Sequence, residues 1–138
     1  MHPVTKGAVA LALAFAAAFS TSSAPEATFT EIYTALWPIT TRAQCNFCHG
    51  LPPNQTSNGL LSMGSDQATA YAALMATSTS TACGGKKYVV PGDPDSSLLV
   101  SKLSTPTCGN RMPLGGTELT ADQLDQVRSW IEAGAKDN

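Results

Sequence analysis

The residues best suited to chemistry lie in one short run, Cys45-Asn46-Phe47-Cys48-His49. Two cysteines three positions apart, followed directly by a histidine, form the C-x-x-C-H spacing of c-type haem attachment. Thiols at this separation reach the two vinyl groups on one edge of a porphyrin. The next residue then lies beneath the iron, where its imidazole becomes the proximal ligand. The run therefore predicts one covalent haem c, held by Cys45 and Cys48 and ligated by His49.

Two other kinds of site also use closely spaced cysteines. A redox-active pair needs only the C-x-x-C spacing. A tetrahedral zinc site needs four ligands. The chain offers four cysteines, Cys45, Cys48, Cys83 and Cys108, and His49 could replace one of them. Neither alternative accounts for a histidine directly after the second cysteine, so haem attachment is the favoured interpretation.

The second axial ligand of such a haem has few candidates. The chain contains two histidines, and His2 lies in the segment that export would remove, so a second imidazole from this chain is excluded. A methionine is the favoured ligand, and it raises the reduction potential relative to a second histidine. An uncommon donor such as lysine, or an open or water-bound iron, remains as an alternative.

Three methionines follow the first residue of the chain, and their surroundings differ. Met112 is favoured, because the residue before a proline is pushed into an extended conformation, and Pro113 follows it. Met63 lies in a loop 14 positions after His49 and is the main competitor. Met75 falls on the apolar face of a predicted helix, where filling space is the usual role of methionine.

The first 24 residues have the layout of a secretory signal peptide. Lys6 precedes an apolar run over residues 7–19, and small polar residues follow it. Residues 25–138 then form one domain. Seven of the eight basic side chains and all ten acidic ones stay in that domain, for a net charge of −3. We therefore expect a protein of the periplasm or cell exterior, with no nucleic-acid partner and no transmembrane segment once the signal is cleaved.

Apolar periodicity predicts four helices separated by long irregular loops, and no strand. The first covers residues 28–37 and the second runs from a Ser65 cap to about residue 77. The second is expected to bury one face, formed by Ala68, Tyr71, Ala72 and Met75. A third begins at Asp93-Pro94, because aspartate suits the N-cap and proline the first helical position. The last opens with Thr120 and Gln123 in capping-box spacing. The predicted class is all-α.

The cysteines outside the motif are Cys83 and Cys108. In an oxidising compartment two such thiols become a disulfide unless other chemistry uses them. We therefore predict that they pair, the alternative being two free thiols.

Arg111 is a candidate for a hydrogen bond to a haem propionate, because guanidinium pairs well with carboxylate. An ordinary solvated arginine is the alternative.

Four segments follow one another in a characteristic order: the haem motif, Val90-Pro91-Gly92-Asp93-Pro94-Asp95-Ser96-Ser97-Leu98-Leu99, Cys108-Gly109-Asn110-Arg111-Met112-Pro113 and Trp130-Ile131-Glu132-Ala133-Gly134-Ala135. Together they resemble the class I-like monohaem cytochromes c of bacterial envelopes. The resemblance implies a small helical domain wrapped around one covalent haem, with its first and last helices packed together. It also implies that Met112 supplies the distal sulfur and that the protein passes single electrons. A disulfide like Cys83–Cys108 occurs in some members.

The function expected from these features is electron transfer with redox partner proteins that the sequence does not identify, rather than catalysis. A haem enzyme or ligand sensor with an open iron, for example a peroxidase-like one, is the first alternative. The sequence disfavours this alternative, because the chain has no spare histidine for distal acid–base chemistry. A structural zinc module is the second alternative.

Overall fold

A computed structural model describes residues 26–38, 40–50 and 60–138 of the chain. The predicted signal peptide, residues 1–24, lies outside the described residues. Within them the protein is helical, with no β-strand and a single isolated bridge between Thr77 and Lys87. The all-α class is thus confirmed for the described residues. The helices are α1 Phe29–Leu36, α2 Cys45–His49, α3 Gln67–Leu74, α4 Leu98–Leu103 and α5 Ala121–Glu132.

Helices α1 and α5 begin within one residue of where the sequence predicts. Thr28 caps α1 in a capping box with Glu31, and Thr120 caps α5 in the same way with Gln123. In each box the two side chains satisfy backbone N–H groups that have no partner inside the helix. The predicted start of α5 is therefore confirmed, and α1 starts one residue later than predicted because Thr28 is its N-cap. The last residue of α5 is Glu132, and the C-cap Ala133 precedes a glycine with positive φ.

The first and last helices pack against each other, as the resemblance implies. The rings of Phe29 and Trp130 lie 5.2 Å apart between their centroids, and both side chains are almost completely buried. The backbone N–H of Phe29 also donates to Asn138 Oδ1 at 3.0 Å. Aromatic burial of this kind dominates the stability of a small core, so this helix pair anchors the domain.

The prediction for α3 was wrong about its cap and its buried face. Asp66, not Ser65, caps the helix by accepting from the Thr69 N–H, and the last helical residue is Leu74. Ala70 and Leu74 are buried, whereas Ala68 and Ala72 are exposed. Alanines lie all around this helix, so the sequence shows no clear apolar stripe, and packing selects the face.

The prediction for the third helix was wrong by four residues, because the N-cap of α4 is Ser97 and its first helical residue is Leu98, not Asp93 and Pro94. Asp93 instead accepts from the Ser96 N–H within a turn. The first two N–H groups of the helix, those of Leu98 and Leu99, donate to distant carbonyls of Lys87 and Tyr88. These long-range acceptors replace a side-chain cap.

A disulfide joins Cys83 to Cys108, which confirms the predicted pairing. It connects the loop before α4 to the loop after it, so both loops are fixed beside that helix. No helix within the described ranges is long and apolar enough to cross a bilayer.

Candidate functional site

The C-x-x-C-H run forms α2, a helix of five residues that begins at Cys45. Residues at positions i, i+3 and i+4 of a helix share one face, so Cys45, Cys48 and His49 lie on the same side of this turn. The Asn46 N–H donates to the carbonyl of Trp37 at 3.1 Å, which ties α2 to the end of α1. The helix therefore presents two thiols and one imidazole in one direction.

The ring of His49 is held by a backbone carbonyl. His49 Nδ1 lies 2.8 Å from the carbonyl oxygen of Leu61. Because a carbonyl only accepts, Nδ1 carries the proton, and in the neutral imidazole the Nε2 lone pair is free to bind a metal. Metal-ligating histidines almost always donate their other ring N–H in this way. The arrangement fits a ligand role for His49.

A cavity of about 360 Å³ lies against this face of α2, and it is lined by Cys45, Cys48 and His49. Leucines of α4 contribute apolar walls. A neighbouring cavity of about 440 Å³ shares the same three residues. The structure therefore brings the two thiols and the imidazole to space suited to a large apolar molecule.

Met112 lines both cavities, whereas Met63 lines only the first. Met63 is 4% exposed, and its N–H donates to the carbonyl of His49 at 2.8 Å. Its segment therefore runs alongside the histidine. Met112 is half-buried and lies outside any helix. Its segment lies next to α4, because the Met112 N–H donates to the Lys102 carbonyl at 2.7 Å. Met75, the C-cap of α3, lines neither cavity.

Cys45 and Cys48 are free thiols. Burial raises the pKa of the Cys45 thiol to about 12. The reactive cysteine of a redox-active C-x-x-C pair has a lowered pKa instead, because its thiolate is the nucleophile. The surroundings of Cys45 thus do not resemble those of a redox pair.

The disulfide counts against the zinc alternative. The sulfurs of Cys83 and Cys108 are bonded to each other and supply no thiolate, and both forms of the predicted site need at least one of them. Among the described residues, no three His, Cys, Asp or Glu side chains are grouped to hold a metal ion.

Arg111 contacts its own loop. Its guanidinium lies 3.4 Å from Glu118 Oε1 and donates to the carbonyls of Met112 and Gly116 at 3.4 and 3.5 Å. These contacts hold together the loop that carries Met112. A propionate contact for Arg111 stays a prediction.

Two further residues belong to the site that the sequence does not single out. Leu61 contributes only its carbonyl, a group that every residue carries, so no sequence signal marks it. Lys102 lines the first cavity, and its Nζ donates to the carbonyls of Cys108 and Asn110 at 2.6 and 3.1 Å. Its position in the last turn of α4 would be read from sequence as surface charge.

Compared with protein-family models, with curated proteins and with solved structures, the chain gives no match in any of the three.

Proposed function

We propose that this protein is an exported c-type cytochrome that transfers single electrons. Cys45 and Cys48 would hold one haem by thioether bonds, with His49 and Met112 as its axial ligands. The observation that carries the proposal is the His49 ring, fixed through Nδ1 by the Leu61 carbonyl beside two unbridged thiols and an apolar cavity. When bound, haem supplies an iron that changes by one electron between its ferric and ferrous states.

The donor set of the cavity fits this group. Two free thiols on one face of a helical turn suit the two vinyl groups on one porphyrin edge. Apolar walls suit the flat ring, and the Leu61 carbonyl fixes the histidine tautomer that leaves Nε2 available. An apolar cofactor would also add to the limited core of a domain of this size.

Met112 is favoured over Met63 as the second ligand by where each backbone is held. The backbone N–H of Met63 donates to the carbonyl of His49, so the Met63 segment is on the histidine side of the cavity. A second ligand to a bound iron would have to come from another part of the wall. Met112 is attached to α4 and meets that requirement. The Met112 thioether would occupy the remaining ligand position of a bound iron, which would favour electron transfer over binding of small ligands.

Export rests on the sequence of residues 1–24 and agrees with the disulfide, since disulfides persist in oxidising compartments. The periplasm or cell exterior is therefore the proposed location. The redox partners would be proteins of the same compartment.

The proposal is tested by expressing the full chain with a c-type maturation system. We expect a coloured protein whose haem stays attached after acid–acetone extraction, and whose mass exceeds that of the polypeptide by one haem. Its ferric form should be low-spin and bind carbon monoxide slowly or not at all once reduced. The matched control is Cys45→Ala with Cys48→Ala, which should lose covalent haem.

A colourless product from the unchanged chain, under conditions that mature other c-type cytochromes, would overturn the proposal. A coloured, high-spin product that binds carbon monoxide quickly would keep the haem and replace electron transfer by the open-iron alternative.

A further inference from the structure

One residue of α4 contacts the beginning, middle and end of the 108–112 segment, which ends at Met112. The backbone carbonyl of Lys102 accepts from the Met112 N–H at 2.7 Å. Its Nζ donates to the carbonyl of Cys108 at 2.6 Å and to that of Asn110 at 3.1 Å. The main chain and the side chain of a single lysine therefore hold the segment together.

The two side-chain hydrogen bonds of Lys102 compensate for the partial burial of its charged amino group. The side chain is half-buried at the cavity wall, and within the described part of the chain its amino group forms no ion pair. A partly buried ammonium group is costly unless its N–H donors find acceptors. The two carbonyls supply those acceptors, and hydrogen bonds that involve a charged group are stronger than neutral ones.

Gly109 lies between the two acceptors and makes the arrangement possible. Its φ of +59° is in the left-handed region, which glycine adopts without strain. A Cβ on this residue would lie 2.7 Å from Lys102 Nζ. The absence of a side chain at Gly109 therefore gives the lysine room to reach the carbonyls on both sides of it.

The disulfide fixes the start of the same segment, because Cys108 is bonded to Cys83. The end of the segment, four residues later, depends on other contacts. The Lys102 contacts to Asn110 and Met112 are the ones that attach it to α4.

We infer that Lys102 is a positioning residue for Met112: its amino group holds the 108–112 segment against α4, so that the thioether stays at the cavity and resists displacement by external ligands. This inference rests on the proposed function, because it assigns Met112 to the iron.

The test compares haem-loaded wild-type protein with Lys102→Leu, which keeps the backbone contact to Met112 and removes the amino group. Imidazole is titrated into the ferric proteins while the sulfur-to-iron charge-transfer band is followed. We expect Lys102→Leu to lose the band at an imidazole concentration about tenfold lower, as the loss of hydrogen bonds from a charged group implies. Lys87→Leu is the matched control, because it removes the same charge from an exposed position and should titrate like the wild type.

A second background separates positioning from simple opening of the cavity. In Met112→Ala protein the thioether is already gone, so adding Lys102→Leu should change the imidazole affinity by less than about twofold if Lys102 acts through Met112. An equal change in both backgrounds would overturn the inference, since it would mean that the shorter side chain only makes room for imidazole.

Gly109→Ala serves as an independent variant, and as the substitute if Lys102→Leu does not fold. It should also lower the imidazole concentration at which the band is lost, because the new Cβ displaces the Lys102 amino group and alanine is strained at the φ of +59°. If the unchanged chain carries no haem, or if Met112→Ala keeps the band, the proposed function or its ligand assignment fails first. If both hold and Lys102→Leu titrates like the wild type, only the present inference fails.

Discussion

At the scale of single residues, the two methionines at the cavity differ in what they contribute. Met63 is 4% exposed and belongs to the buried core, while Met112 is half-buried in a loop that crosses the cavity wall. A buried methionine fills space whether or not it binds metal. A half-buried thioether outside a helix, held by hydrogen bonds on either side, is better placed to act as a ligand.

Replacing each methionine by alanine should therefore give opposite results. Met112→Ala is expected to abolish the ferric sulfur-to-iron charge-transfer band and to open the iron to carbon monoxide. Met63→Ala should keep the band and lower the free energy of unfolding by about 2–5 kcal/mol, the usual cost of emptying a buried methionine site. Optical spectra and denaturant titrations of both variants measure these effects. Survival of the band in Met112→Ala would show that Met112 is not the ligand.

At the scale of the helices, the N-caps show which helix starts are set by neighbouring residues and which depend on distant parts of the chain. The capping boxes of α1 and α5 are formed by residues three positions apart, so they are visible in the sequence. Helix α4 has no side-chain cap hydrogen bond, and its first N–H groups donate to residues 87 and 88. Its start depends on the loop that brings those carbonyls alongside.

The cap of α3 also makes a pH dependence predictable. The Thr69 backbone N–H, and then its hydroxyl, lower the pKa of Asp66 from its ordinary value of 3.8. In acid the unfolded chain therefore binds more protons at Asp66 than the folded chain does. The stability that the Asp66 carboxylate contributes is fully present above its ordinary pKa of 3.8, and it is lost as the pH falls through the lower pKa of the folded state. Asp66→Asn keeps an equally good neutral cap, so its free energy of unfolding should fall less steeply on acidification.

Denaturant titrations at a series of acidic pH values measure this slope. The control is Asp137→Asn, which replaces an exposed aspartate outside the helices and should keep the slope of the wild type. Equal slopes for Asp66→Asn and the wild type would show that the ionisation of Asp66 does not contribute to the loss of stability in acid.

At the scale of the whole molecule, two long-range connections determine the shape of the site. The α1–α5 pair joins the ends of the described chain through Phe29 and Trp130. The disulfide holds the two loops on either side of α4, one of which carries Met112. Between them lie the cavity and the α2 turn, so the site is formed by segments that are far apart in the sequence.

The disulfide should make a measurable contribution to stability. Its cysteines are 25 residues apart, and a closed loop of that length corresponds to about 3.5 kcal/mol in the chain-entropy model. The double variant Cys83→Ser, Cys108→Ser is therefore expected to lower the free energy of unfolding by about 3.5 kcal/mol in denaturant titrations. The single variants should lose about as much as the double one, because either substitution breaks the bond. A double variant as stable as the wild type would contradict this prediction.

The sequence by itself determined the features that depend on neighbouring residues or on counting. The thiols and imidazole of the motif share one face because their spacing matches a helical turn. The capping boxes set the starts of α1 and α5, and the two cysteines outside the motif had only each other as partners.

Only the tertiary structure decided the rest, because it depends on groups that meet after the chain has folded. Backbone carbonyls from distant loops set the start of α4 and fix the ring of His49. Packing chose Ala70 and Leu74 as the buried face of α3, where the alanine-rich sequence left several faces equivalent. The contacts of Lys102 with the 108–112 segment are of the same kind, since every residue has a carbonyl and only the fold decides which one an amino group reaches.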